Sequence, residues 1–294
     1  MRDKNSLKSY GMLLSSLFIF GTLGVYRKFL TVTSASISFY RSVFGALFLI
    51  LFMKLKGENI KKIFALELKA FLLLFLAGII LGVNWLLLFE GYKYAAVSLV
   101  ILCCYMEPLF VIIMSAVLFH ERLTLKKILC FIAALIGMIL ISGVIETGLP
   151  DQSSLTGMLY GLGSGLFYAL VVILNKFIKG IDADIKTIIQ LIGAAVSMIP
   201  YIIFTNAFAD DLWTAQSLIL MAVICVVNTA LAYTLYFGSM DGLQAHTIAL
   251  LSYIDPVTTL FFAALILGER LTAFGILGAV LILGSAVICE LERE

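Results

Sequence analysis

The chain has 294 residues, of which 62% are hydrophobic and only 13% charged, with a formal net charge of +2. A soluble domain carries roughly 25% charged residues, so no single globular core can hide this apolar excess, and the sequence is that of an integral membrane protein. The near-neutral balance gives no reason to expect a nucleic-acid partner. The five cysteines (Cys103, Cys104, Cys130, Cys225 and Cys289) fall in apolar runs without metal-ligand spacing, which argues for small apolar fillers and against a zinc site or disulfide framework.

Taken in order, the chain starts with a short basic segment, Met1 to Ser9, with no small-residue cleavage site after it; it reads as a cytoplasmic tail. A span needs about 20 mostly apolar residues. Ten stretches qualify: 10–30, 34–53, 69–92, 95–119, 125–144, 155–177, 184–205, 215–239, 243–267 and 272–290. The predicted fold is therefore all-α, a polytopic membrane protein of ten transmembrane helices. Its halves are 10–144 and 155–290, with Gly148–Ser154 as a turn-rich linker. With the N-terminus inside, fifteen of the twenty Lys and Arg fall on the inner side and four, Arg27, Lys28, Lys93 and Arg270, on the outer; Arg41 lies inside a span. That bias puts both termini in the cytoplasm.

One motif recurs. Tyr105, Glu107 and Pro108 sit mid-way along the apolar run Ala95–Phe119, which ends in Glu121-Arg122-Leu123-Thr124. Shifted by 148 positions without a gap, they become Tyr253, Asp255 and Pro256, followed by Glu269-Arg270-Leu271-Thr272. The earlier parts of the halves match more weakly, with Arg41 falling on Gln190. Five spans per half is an odd number, so the second copy enters the membrane inverted, an arrangement typical of secondary transporters with a midplane site.

On these residues the sequence resembles the drug/metabolite transporter superfamily, in its ten-span type built from two EamA-like repeats. The resemblance rests on a mid-helix proline followed some twelve residues later by glutamate, here Pro108 with Glu121 and Pro256 with Glu269. It implies a central cavity lined by spans 1 to 4 and 6 to 9, with spans 5 and 10 more peripheral, and a small-molecule cargo. The family pattern does not fix an acid before both prolines, so Glu107 and Asp255 belong to this branch.

A charge at the centre of an apolar helix is costly and a functional candidate by default. Proline frees a backbone carbonyl where no water can satisfy it, so each acid sits beside exposed backbone dipoles. Glu107 and Asp255 therefore read as binding a cation or a proton; the alternative is a buried carboxylate held by Arg41 or a tyrosine. Arg41 needs a counter-ion, either one of those acids or a substrate carboxylate. Asn84 and Asn228 are cavity amides or interhelical bonds, and Trp85, Tyr105, Tyr233 and Tyr253 offer aromatic faces to a cation or simply pack. Glu90 and Lys93 read as an interfacial pair. His120 and His246 read as interfacial residues, since neither sits in a ligand pattern. Glu121 and Glu269 read as structural, each beside the helix that follows and that Thr124 or Thr272 caps. Gly157, Gly161 and Gly165 form a small-residue stripe for close helix approach, and Gly275, Gly278 and Ala279 a looser one.

The expected function is secondary active transport of a small polar metabolite across the cytoplasmic membrane by alternating access. An amino acid or related amine is the first choice, with export or exchange favoured by the resemblance. The alternatives are a multidrug or cationic-compound transporter of the same fold, or a membrane sensor. No enzyme activity and no cofactor are expected. The partners are a small-molecule substrate, the lipid bilayer and a coupling proton, and monomer and homodimer both stay open.

Overall fold

The computed structural model describes residues 2–58, 63, 66–119, 125–141, 144–147, 150–178, 181–240, 251–252 and 254–291, and its regular elements there are helical. In chain order they are α1 (Arg2–Gly21), α2 (Leu23–Phe29), α3 (Ser34–Leu55), α4 (Leu68–Tyr94), α5 (Val97–Cys104), α6 (Glu107–Phe119), α7 (Leu125–Ile141), α8 (Val144–Thr147), α9 (Gln152–Lys176), α10 (Ala183–Thr205) and α11 (Ala215–Val223). A π-helical segment, Ile224–Leu231, then leads into α12 (Ala232–Met240), α13 (Ile254–Leu267) and α14 (Ala273–Leu291). Among the described residues six stretches are long and apolar enough to cross a membrane: Leu7–Phe29, Ser34–Leu55, Leu68–Tyr94, Gln152–Asn175, Asp184–Thr205 and Ala215–Tyr236. Shorter apolar helices occupy Val97–Val111, Ile128–Ile141, Ile254–Leu267 and Ala273–Ser285.

The surface confirms the solvent. Large apolar side chains stand outward from many of these helices, among them Leu47, Val117, Ile203, Phe204, Ile219 and Leu265. Contiguous exposed apolar surface on this scale does not survive in water and is satisfied by lipid tails. In that medium each backbone polar group must find an internal partner, and four helix starts carry side-chain caps. Thr33 Oγ1 accepts from Ser36 N at 3.2 Å, Asp151 Oδ1 from Ser154 N at 3.2 Å, Thr214 Oγ1 from Ser217 N at 3.1 Å and Thr272 Oγ1 from Gly275 N at 3.0 Å. The expected Thr272 cap is thus present, whereas Thr124 lies outside the described residues.

At one end of the bundle the connections are tied together. Thr31 Oγ1 donates to Leu212 O at 2.5 Å, and Asp211 accepts from Thr33 N at 2.7 Å and Ser36 Oγ at 2.6 Å. Lys28 Nζ donates to Ala95 O at 2.8 Å, and Ser153 Oγ to Tyr94 O at 2.7 Å. Glu269 accepts from Val97 N at 2.8 Å, and from Ser98 N at 3.0 Å and Ser98 Oγ at 2.8 Å. This last contact corrects the expectation that Glu269 serves the helix after it. Its carboxylate instead neutralises the start of α5, whose first amides have no intrahelical acceptor and whose N-cap Ala96 offers no side-chain oxygen.

Packing follows the small residues. α4 runs along α9 and α10, α3 packs on α10, and α1 packs on α12 and α13. The glycine stripe of α9 lies against the residues from Ala95 to Cys104: Cβ atoms added at Gly161 and Gly165 would fall 2.6 Å from Val100 O and 2.5 Å from Cys104 O. α7 and α14 pack chiefly on each other, where Gly278 meets Gly137 O and Gly137 meets Gly278 O. The looser stripe of α14 is therefore covered from within the chain.

A methyl group at Gly161 has no room, whereas one at Gly163 would meet only Leu87 Cδ1 at 3.4 Å. Gly161→Ala should lower the melting temperature of the detergent-solubilised protein, by the equivalent of about 1–3 kcal/mol of overpacking. Gly163→Ala should leave it nearly unchanged.

Candidate functional site

The span 95–119 is not one kinked helix. α5 ends at Cys104, Tyr105 and Met106 form a turn, and α6 opens on Glu107 with Pro108 as its second residue. Proline is well placed there, because an N-terminal helical position has no intrahelical use for its missing N–H. In the second half α13 carries Asp255 and Pro256 in its first turn. Each acid therefore sits in the N-terminal, positive first turn of its helix, where negative charge is favoured.

The two motifs touch. Tyr105 Oη donates to Asp255 Oδ2 at 2.9 Å. Tyr105, Glu107 and Asp255 are all half-buried. Cys104 lies within electrostatic range of both Glu107 and Asp255, and its Sγ is 3.5 Å from Ser164 Oγ. Tyr168, one turn further along α9 and 43% exposed, lies within electrostatic range of Glu107, Tyr233 and Tyr236. Nothing in the repeat pattern points to Tyr168, because its place comes from α9 crossing α5 and α6.

Arg41, on α3, is 5% exposed, and its guanidinium sits 4.3 Å from the ring centroid of Trp85 on α4. Among the described residues its Nε has no hydrogen-bond partner, and no ion pair joins it to one of them. The carboxylate partner expected from sequence is therefore not in contact, although Asp255 lies within electrostatic range. A cation over an indole face is attracted by the ring quadrupole, and that attraction holds the guanidinium without using its donors.

The remaining candidates separate. Asn84 Nδ2 donates to Ser164 O and Ser164 Oγ, both at 2.7 Å, so its donors tie α4 to α9. Asn228 Nδ2 donates to Ile19 O at 2.6 Å and Thr22 Oγ1 at 2.9 Å, where α1 gives way to α2. Asn228 lies within the π-helical segment, in which Thr229 Oγ1 donates to Ile224 O at 2.9 Å. Tyr233 packs edge-on to Phe20, centroids 5.4 Å apart. Glu90 and Lys93 form their expected pair at 2.6 Å. Gln190, the counterpart of Arg41, donates to Asn175 Oδ1 at 2.9 Å. Tyr253, His120, Glu121 and His246 lie outside the described residues.

The profile of the EamA-like transporter family matches residues 7–143 and again residues 155–290. The chain belongs to that family. This EamA-like transporter is 25% identical to the uncharacterized transporter YxxF of Bacillus subtilis, over 95% of this chain and 88% of that protein. It is 26% identical to an uncharacterized transporter of Archaeoglobus fulgidus, over 94% of each. A protein of Salmonella typhimurium named as a probable amino-acid metabolite efflux pump is 26% identical over 62% of this chain and 63% of its own length. A crystal structure of 17% sequence identity superposes along the whole of both chains with a TM-score of 0.65, which shows a shared fold. Family and helices together make this a multi-pass membrane protein.

In this EamA-like chain Glu269 makes three bonds to the start of α5, and leaving such amides without an acceptor costs roughly 1–3 kcal/mol. Glu269→Ala should therefore lower the melting temperature measurably. Arg270→Ala, which removes an exposed neighbour, should not.

Proposed function

We propose that the protein is a secondary active transporter of a small polar metabolite, an amino acid or related amine, working as an exporter or exchanger by alternating access. The observation that carries this reading is the 2.9 Å bond from Tyr105 to Asp255, which joins the two acid–proline motifs at the base of their helices. In this account Glu107 and Asp255 take up the substrate amine or a coupling proton, and Arg41, seated on Trp85 with donors to spare, meets the substrate carboxylate. Asn84, with its amide nitrogen engaged on Ser164, positions α4 rather than the substrate. The relative named as an amino-acid metabolite efflux pump favours this substrate class.

The proposed architecture is ten spans in two inverted five-helix repeats, 10–144 and 155–290, in the cytoplasmic membrane with both termini in the cytoplasm. The clustering of the 30–33, 94–96, 153, 211–212 and 269 segments at one end of the bundle supports it, because alternate connections of an up-down bundle must share a face. Inversion places the acids of the two halves opposite each other, the geometry of a midplane transporter site.

The test is flux in reconstituted vesicles. Glu107→Gln and Asp255→Asn should each slow amino-acid transport by about tenfold or more, since bonds to charged groups are worth roughly 1.5–3 kcal/mol and about 1.4 kcal/mol is a factor of ten. Both variants should still insert and run as folded protein in size-exclusion chromatography, and wild-type rates from both would remove the acids from the mechanism. Arg41→Ala separates substrate contact from scaffold. It should slow transport of an amino acid much more than of the corresponding decarboxylated amine, whereas an equal effect on both, with a lowered melting temperature, would make Arg41 structural.

A further inference from the structure

Three of the four basic residues that charge placement puts on the outer side line one pocket. It has a volume of about 470 Å³ and is bounded by Arg27, Lys28, Thr31, Tyr92, Lys93 and Asp210, among others. That volume suits a small metabolite. The pocket lies at the tied end of the bundle, apart from the acids Glu107 and Asp255, between the start of α3, the end of α4 and the 206–214 connection.

The charges there are only partly compensated. Arg27 is 6% exposed, yet its Nη atoms donate to neutral acceptors alone, Leu30 O and Ser34 Oγ, each at 3.2 Å, and its Nε has no partner among the described residues. Lys28 spends one hydrogen on Ala95 O and has two left. The neighbouring carboxylates are committed elsewhere: Glu90 to Lys93, Glu269 to the amides of Val97 and Ser98, and Asp211 to Thr33 and Ser36. Asp210 is exposed at the rim. A buried guanidinium and an exposed ammonium thus face a solute-sized space with only neutral groups on their donors. Basic residues are also depleted on the outer side of membrane proteins, so three in one pocket need a purpose there.

We propose that this pocket is a second solute site, which binds a small carboxylate through Lys28, Arg27 and Lys93. The site does not depend on the midplane acids, and its occupant need not be the transported substrate. A lipid phosphate offers similar chemistry; Arg27, Leu30, Val32 and Tyr92 of the lining are buried, whereas Lys28, Thr31, Lys93 and Asp210 are exposed, so the test includes a lipid arm.

Saturation-transfer difference NMR with acetate as the probe tests it, on the full chain in phosphatidylcholine nanodiscs at constant ionic strength. Wild type should show a saturable acetate signal. Lys28→Gln and Lys93→Gln should each weaken binding by a factor of about three or more, the Coulomb effect of a unit charge about 7 Å away in water. Lys28→Arg should retain it, as should Lys54→Gln at the far end of α3. Arg27 is left unchanged because it also pins the α2–α3 turn, and size-exclusion profiles confirm that the lysine variants are folded. No saturable acetate signal in wild type, or equal signals in Lys28→Gln and Lys54→Gln, would overturn the proposal. Loss of the wild-type signal on adding phosphatidylglycerol would assign the site to a lipid headgroup and overturn it as well.

Discussion

Irregular backbone is tolerated at membrane depth only where it is buried in protein or lines a cavity, because lipid offers no hydrogen bonds. The described spans break their regularity in few places, and those places converge. α1 gives way to α2 at Thr22, the π-helical segment 224–231 interrupts the span from Ala215, and α5 stops at Cys104. Asn228 in the π segment reaches Ile19 and Thr22, Thr258 of α13 lies against Gly21, and Tyr105 at the α5–α6 break bonds Asp255. The carbonyl freed where α1 gives way to α2 is thus met by Asn228 of the π segment, and Tyr105 links the α5–α6 break to α13. Breaking a helix is most costly where no water can replace the lost bonds, and that cost is the physical argument for the proposed site.

The rest of the bundle holds that junction in place. Glycines at 157, 161 and 165 bring α9 close to α5, and Ser164 between them receives Asn84 and approaches Cys104. The far end is stitched by carboxylates that serve helices distant in sequence, Asp211 on the start of α3 and Glu269 on the start of α5. A carboxylate on a helix N-terminus is favourable but exchangeable, since water can replace it once that end opens. In the alternating-access cycle proposed above, these are the bonds that would break at this end.

Much of this was legible in the sequence because bilayer thickness and backbone satisfaction impose long apolar runs. The expected span 34–53 appears as Ser34–Leu55 and 184–205 as Ala183–Thr205. The glycine stripe was legible because spacing by four keeps one helix face, and the Glu90–Lys93 pair because three residues separate neighbours on that face. What escaped depends on tertiary contacts. Proline signals a kink, but the full break at Tyr105–Met106 needs the turn that follows Cys104. The π segment has no residue signature. Arg41 was paired on paper with an acid because charge attracts charge, whereas Trp85 on the adjacent helix reaches it first. Glu269 finds its partners 171 and 172 positions away, beyond any local rule.

If the junction of the two motifs is the working site, Tyr105 and Asp255 must act as one unit. A double-mutant cycle of Tyr105→Phe and Asp255→Asn on amino-acid flux in proteoliposomes is the most direct measure. The account predicts that the double variant is scarcely slower than Asp255→Asn alone, a coupling of about 1 kcal/mol or more. Strictly additive losses, or single variants that transport at the wild-type rate, would contradict it.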